Sequence, residues 1–69
     1  LMKIGDVVMF TSKCSYSKWF FGRVGIITSY RKEASDGYPY CSVEWMHPVP
    51  YFHSLATVSS FRADKFEGL

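Results

Sequence analysis

Residues 21–30 read Phe-Gly-Arg-Val-Gly-Ile-Ile-Thr-Ser-Tyr, an apolar and β-branched stretch that predicts a β-strand. The apolar spacing slips at Gly25, because Val24 and Ile27 lie three positions apart where a regular strand would place them two apart. A glycine at such a slip is typical of a β-bulge or a sharp bend. We therefore predict a bent strand, the device by which small barrels curl.

Short strands with turn signals between them account for the rest of the chain. Asp36-Gly37 is a strong turn signal, and the polar residues 12–18 predict a loop. One helical turn is expected over residues 60–64, just before the last strand. The predicted strands cover residues 6–11, 21–30, 38–46, 53–58 and 65–67. Short strands in this number, one of them bent, predict a single all-β domain over residues 1–69, folded as a closed or nearly closed five-stranded barrel.

Alternation along the strands predicts which side chains share a face. Val8 and Phe10 share one face of the first strand, and Val7 and Met9 form a second apolar face that we also expect to be covered, with a homodimer contact as one way to cover it. In the third strand the side chains on one face are Cys41, Val43 and Trp45. The segment 47–50, His-Pro-Val-Pro, is expected to lie outside any central strand, because proline lacks the amide donor.

Composition and charge narrow the classes of function. Hydrophobic residues make up 48% of the chain and aromatic residues 19%, which suits the dense core that so short a domain needs. The net charge is +2 and the basic residues are dispersed, so charge neither requires nor excludes a polyanion as partner. No stretch approaches the roughly 18 apolar residues of a membrane span, and no signal-peptide pattern occurs. We expect a cytoplasmic protein with no membrane partner.

Two segments resemble known families of small barrels. Residues 4–8, Ile-Gly-Asp-Val-Val, followed by residues 22–27, Gly-Arg-Val-Gly-Ile-Ile, resemble the opening of SH3-like barrels. The second segment also resembles a KOW motif, found in ribosomal proteins and transcription elongation factors. KOW domains bind RNA, DNA or protein, so this resemblance implies an SH3-like fold more than a particular ligand.

Two further resemblances imply different partners. Ser15-Tyr16, Trp19-Phe20, Val24-Gly25, Tyr38-Pro39 and residues 61–67 are similar to the small SH3-like barrel protein of photosystem I that helps to dock ferredoxin. The opening Gly-Asp-x-Val, the central Val-Glu-Trp and the final Asp-Lys-Phe-Glu resemble small uncharacterised proteins of tailed phages. The phage resemblance implies a host protein as partner and the host cytoplasm as location.

The candidate residues for metal binding and catalysis form no known pattern. Cys14, Cys41, His47 and His53 lack the tight ligand pairs of zinc sites, so we predict no metal and no cofactor. The two cysteines are expected to be buried or half-buried thiols, although their number alone also allows a disulfide. No nucleophile elbow, phosphate loop or carboxylate pair occurs, and we predict that the chain is not an enzyme.

Binding residues are predicted in two groups. Tyr16, Lys18, Trp19 and Arg23 interleave aromatic and basic side chains, as single-strand nucleic-acid binders do. Core packing is the alternative interpretation for the aromatic members, and for Tyr16 and Trp19 both interpretations stay open. The chain also has more large side chains than a core of this size is expected to enclose. The second group is taken from these and consists of Tyr38, Tyr40 and Tyr51. Such a surplus indicates a protein-binding surface.

The sequence thus predicts a non-catalytic interaction module that binds a protein partner. The alternative is a KOW-like nucleic-acid-binding domain. A ferredoxin-docking protein, similar to the small barrel protein of photosystem I, is the third hypothesis.

Overall fold

A computed structural model describes residues 2–69 and confirms the all-β class. The five strands are β1 (Val7–Phe10), β2 (Val24–Arg31), β3 (Tyr40–Tyr51), β4 (Ser54–Arg62) and β5 (Phe66–Gly68). A one-turn helix, α1 (Ser17–Phe20), precedes β2, and a single 3₁₀ turn (Ala63–Lys65) precedes β5. No helix in the described part of the chain is long and apolar enough to cross a membrane.

The strands form one antiparallel sheet in the order β4-β3-β2-β1-β5. Each of the first three strands pairs with the next, and β5 returns to pair with β1, so β4 and β5 are the edges. The sheet curls strongly, because Phe61 of β4 and Phe66 of β5 have ring centroids only 6.2 Å apart. Across residues 2–69 no ladder joins these two edges, so hydrogen-bonded closure into a barrel stays a prediction.

The curled sheet encloses an aromatic core, and the predicted inner faces are confirmed. Val8 and Phe10 are fully buried. The ring of Phe10 lies at the centre of the core, with its centroid 5.0 Å from that of Phe61 and 5.5 Å from that of Phe66. The third-strand side chains Cys41, Val43 and Trp45 are also buried. On the second face of β1, Val7 is 40% exposed and Met9 is half-buried in the single chain, so coverage of this face by a second copy stays a prediction.

Gly25 has a different role from the one predicted. The register of β2 against β3 shifts between Ile27 and Ser29, so the irregularity follows Gly25 instead of lying on it. Gly25 is buried, and a Cβ atom there would lie 2.8 Å from the backbone oxygen of Glu44 and 3.3 Å from the Trp45 ring. Close contact between β2 and β3 is therefore the reason for this glycine.

The predicted end of the third strand at Met46 needs correction, because β3 continues through the proline segment to Tyr51. The ladder between β2 and β3 ends at Trp45, whereas β3 pairs with β4 again from Val49 onwards. Pro50 thus lies where β3 has one neighbour, β4, and Pro48 lies in the unpaired stretch just before it. The absent amide donors therefore interrupt no ladder with β2.

Several element boundaries also differ from the sequence expectations. Residues 21–23 form a turn after α1, so β2 begins at Val24 and not at Phe21. β4 extends to Arg62, four residues beyond the predicted end, because Ser59–Arg62 pair with β3. This longer strand moves the helical turn to Ala63–Lys65.

Candidate interaction surface

Four aromatic side chains meet where α1 approaches the turn between β3 and β4. We call them the aromatic patch: Tyr16, Trp19, Tyr51 and Phe52. The ring centroid of Trp19 lies 4.9 Å from that of Tyr51 and 5.1 Å from that of Phe52. Tyr51 and Phe52 contact each other at 4.6 Å, and Tyr16 lies 6.4 Å from Trp19. Such edge-on and tilted contacts each add stabilisation beyond that of area burial.

Phe52 is the most exposed member of the aromatic patch and has an unusual backbone. Its side chain is 71% exposed, and its φ angle of 54° lies in the left-handed region that non-glycine residues rarely adopt. Phe52 and His53 form the turn in which Tyr51 pairs with Ser54. Neither property favours folding, and backbone strain of this kind is concentrated at binding sites. We therefore include Phe52 in the site, although its backbone conformation could not be read from the sequence.

A groove of about 610 Å³ adjoins the aromatic patch, and we call it the β4 groove. Tyr16, Tyr51 and Phe61 provide apolar walls. Arg62 and Lys65 also line it, and none of the described residues that line it is acidic. The groove therefore combines an apolar interior with a cationic end.

Cations also lie over aromatic rings on this side of the molecule. The Nζ of Lys18 lies 4.4 Å from the centroid of the Trp19 ring, within the range of a cation–π contact. The guanidinium carbon of Arg62 lies 3.9 Å from the ring centroid of Tyr38, and its Nη2 donates to Oδ2 of Asp64 at 2.7 Å. Lys18 and Arg62 are thus both positioned by their neighbours.

Tyr38 and Tyr40 belong to a different structure, the turn between β2 and β3. The hydroxyl of Tyr40 donates to Oδ2 of Asp36 at 2.7 Å, and the backbone N–H of Tyr38 donates to Oδ1 at 3.0 Å. The hydrogen bond from Tyr40 is the main reason that the pKa of Asp36 lies below its ordinary value, and the same bond raises the pKa of Tyr40. These contacts hold the turn together.

The Asp36–Tyr40 contact makes a pH-dependent contribution to stability that NMR can measure. In Tyr40→Phe we expect the pKa of Asp36 to rise towards 3.8, because its main hydrogen-bond donor is lost. Since the pKa is depressed in the folded wild type, the contribution is present above pH 3.8 and is lost as the pH falls through the lower folded value. Tyr38→Phe is the control, because Tyr38 contacts Asp36 through its backbone. An unchanged Asp36 pKa in Tyr40→Phe would contradict this assignment.

The structure thus divides the seven predicted binding residues into three groups. Tyr16, Lys18, Trp19 and Tyr51 lie together at the aromatic patch. Tyr38 and Tyr40 lie at the β2–β3 turn, although Tyr40 also reaches the β4 groove. Arg23 lines a separate cavity of about 180 Å³ together with Met46 and His47.

Both cysteines are free thiols. Cys41 is buried in the core, and burial raises its pKa. Cys14 lines the β4 groove. Burial acts to raise the pKa of Cys14, but hydrogen bonds with Tyr16 and Ser12 and the charge of Lys65 outweigh it and lower the pKa. Cys14 is therefore the more reactive thiol and can carry a probe at the groove.

The arrangement of the aromatic patch and the β4 groove offers a surface for contact with another molecule. In the part of the chain that the structure describes, no three His, Cys, Asp or Glu side chains come close enough together to hold a metal ion. Comparisons with protein-family models, curated protein sequences and solved structures find no match to this chain.

Proposed function

We propose that the chain is a non-catalytic interaction module that binds a protein partner through the aromatic patch. The observation that carries this proposal is the exposed ring of Phe52, held by a left-handed backbone against Trp19 and Tyr51. Interface centres are enriched in aromatic side chains, and a few of these provide most of the binding energy. The resemblance of three short segments to small phage proteins favours a host protein as the partner.

The variant Phe52→Gly tests this proposal. Glycine relieves the left-handed backbone while removing the ring, so the unfolding midpoint should change little. Loss of a hot-spot contact of about 2 kcal/mol corresponds to about a 30-fold weaker affinity for the partner. The partner would be captured from host lysate with the immobilised wild-type chain, identified, purified and titrated by calorimetry against both proteins.

Phe21→Ala is the matched control for this experiment. Phe21 is also an exposed aromatic residue, at 48%, but it lies outside the aromatic patch. We expect Phe21→Ala to bind as the wild type does. Equal affinity of the wild type and Phe52→Gly would contradict the proposal, and so would the absence of any captured protein after nuclease treatment.

Nucleic-acid binding is the second candidate, and the contact of Lys18 with Trp19 favours it. A lysine 4.4 Å from an indole centroid offers a base both a stacking surface and a nearby cation. In that case a single-stranded oligonucleotide should bind at low salt and lose affinity steeply as salt rises. Lys18→Ala and Arg23→Ala should then weaken binding and reduce the salt dependence. Undetectable binding at low salt would exclude this candidate.

A further inference from the structure

The edge strand β4 is open on the side that faces away from β3. Its only strand partner is β3, and in the described chain no backbone group of residues 54–62 bonds to any element beyond it. A strand has alternating backbone donors and acceptors on both sides. The outer row of donors and acceptors of β4 is therefore available to another strand.

The two edges of the sheet differ in how well they are protected. β5 is only three residues long, contains Glu67 and follows directly after Lys65. β4 is nine residues long, and residues 54–61 read Ser-Leu-Ala-Thr-Val-Ser-Ser-Phe, with no charge and no proline. Short length, charge and proline are the usual means by which proteins prevent strand addition. β4 is long, and it has neither a charged residue nor a proline between residues 54 and 61.

The β4 groove follows this open edge. Consecutive residues of β4 line it: Ser59 and Phe61, which face inward, and Val58 and Ser60, which face outward. A groove lined by consecutive residues of one strand follows the course of that strand. Its far side is formed by Cys14, Ser15 and Tyr16.

We propose that β4 binds a single extended segment of the partner protein, which adds to the sheet as a sixth strand in the β4 groove. This inference rests on the proposed function, since it specifies how a protein partner would be held. The chemistry of the groove defines the segment. It needs free amide donors and hence no proline within the paired stretch, and apolar side chains towards Tyr51 and Phe61. An acidic residue is favoured near Lys65, because the other lining cation, Arg62, already pairs with Asp64.

The far wall of the groove argues against a second copy of the chain as the occupant. If β4 of another copy added here, its own β3 would follow about 4.8 Å further out. Residues 14–16 line the same groove and belong to a different part of the chain, so we infer that they would obstruct this further strand. A lone extended segment brings no neighbouring strand with it and avoids this conflict.

The test uses random linear peptides of nine residues, the length of β4, displayed on yeast and selected against the immobilised chain. Selected peptides are synthesised and N-methylated at one amide at a time. A strand directs alternate amides to its neighbour, so we expect affinity to fall at every second position, by about tenfold for each lost hydrogen bond. Hydrogen exchange of alternate β4 amides should slow when the peptide binds. A fluorophore on Cys14 would report occupancy of the groove.

Val58→Lys tests the edge itself. Val58 is 54% exposed, and a lysine on an edge strand opposes strand addition. Ile26→Lys is the matched control, because Ile26, Glu44 and Val58 pair in one row across β2, β3 and β4. Both new lysines neighbour Glu44, but only one lies at the edge. We expect Val58→Lys to lose peptide binding and Ile26→Lys to keep it, with both variants melting cooperatively.

Four outcomes would contradict the addition of a sixth strand to β4. These outcomes are failure to select any peptide, selection of proline-rich peptides only, N-methyl effects without a period of two, and equal peptide binding by Val58→Lys and the wild type. Dimerisation that Val58→Lys abolishes would identify a second copy as the occupant instead. The proposed function fails separately, when the partner binds Phe52→Gly as tightly as the wild type.

Discussion

Replacing Phe10 with alanine is expected to leave much of the chain unfolded at room temperature. The Phe10 side chain is fully buried, and its ring contacts those of Phe20, Phe61 and Phe66. Truncation of a buried phenylalanine costs about 3–5 kcal/mol, because the lost transfer energy is joined by the cost of a cavity. A domain stabilised by about 0.05–0.15 kcal/mol per residue cannot absorb such a loss easily. Urea unfolding followed by tryptophan fluorescence measures the change.

Two further variants show whether burial causes this effect. Phe21→Ala removes the same side chain from an exposed position, and we expect a change of about 0.5 kcal/mol or less. Phe10→Leu keeps an apolar side chain in the core and should fall between Phe10→Ala and the wild type. A midpoint for Phe10→Ala close to that of Phe21→Ala would contradict the position assigned to this ring.

Gly25→Ala is expected to destabilise the fold, although the added group is a single methyl. The new Cβ would lie 2.8 Å from the carbonyl oxygen of Glu44, a backbone atom inside the sheet. Neither strand can yield without disturbing the pairing of Gly25 with Trp45 or with Val8. Overpacking of this kind costs about 1–3 kcal/mol, and the rigid backbone neighbour favours the upper end.

Gly68→Ala is the control for Gly25→Ala, and the two substitutions should have opposite signs. Gly68 also lies in a strand, but nothing is within 4 Å of the Cβ that alanine would add there. Where the backbone accepts it, Gly→Ala stabilises by about 0.4–1 kcal/mol through the unfolded chain. Equal effects of the two changes on the urea midpoint would refute the close contact at Gly25.

Local patterns in the sequence were enough to predict the all-β class and the core faces. The alternation of Val8 with Phe10 and of Cys41 with Val43 survives in the structure because both pairs line a sheet with one buried side. Asp36-Gly37 also forms the predicted turn, with Gly37 at φ 85° and its N–H bonded to the carbonyl of Ala34.

The elements that the sequence did not reveal depend on distant parts of the chain. Pro48 and Pro50 are tolerated within β3 because the β2–β3 ladder ends at Trp45, and nothing near the prolines encodes that end. Ser59 and Ser60 have little preference for strands, but they pair with Val43 and Ser42 and so extend β4.

In the candidate site, too, some features follow from local sequence and others depend on distant residues. The surplus of aromatic residues in the sequence identified Tyr51, and the interleaving of aromatic with basic residues identified Trp19. Their contact at 4.9 Å could not be predicted, because it depends on how α1 packs beside the end of β3. The left-handed backbone of Phe52 has no local signature, since glycine or asparagine would be the ordinary residue at such an angle.

The return of β5 to pair with β1 has a consequence for biosynthesis. β1 to β4 can pair one after another as they emerge from the ribosome, since each neighbours the next in sequence. Val8, however, pairs with Gly25 on one side and with Gly68 on the other, so half of its pairing depends on the last strand. Closing so long a loop adds entropy cost and slows folding. During translation the nascent chain therefore exposes one side of β1 until β5 has been synthesised.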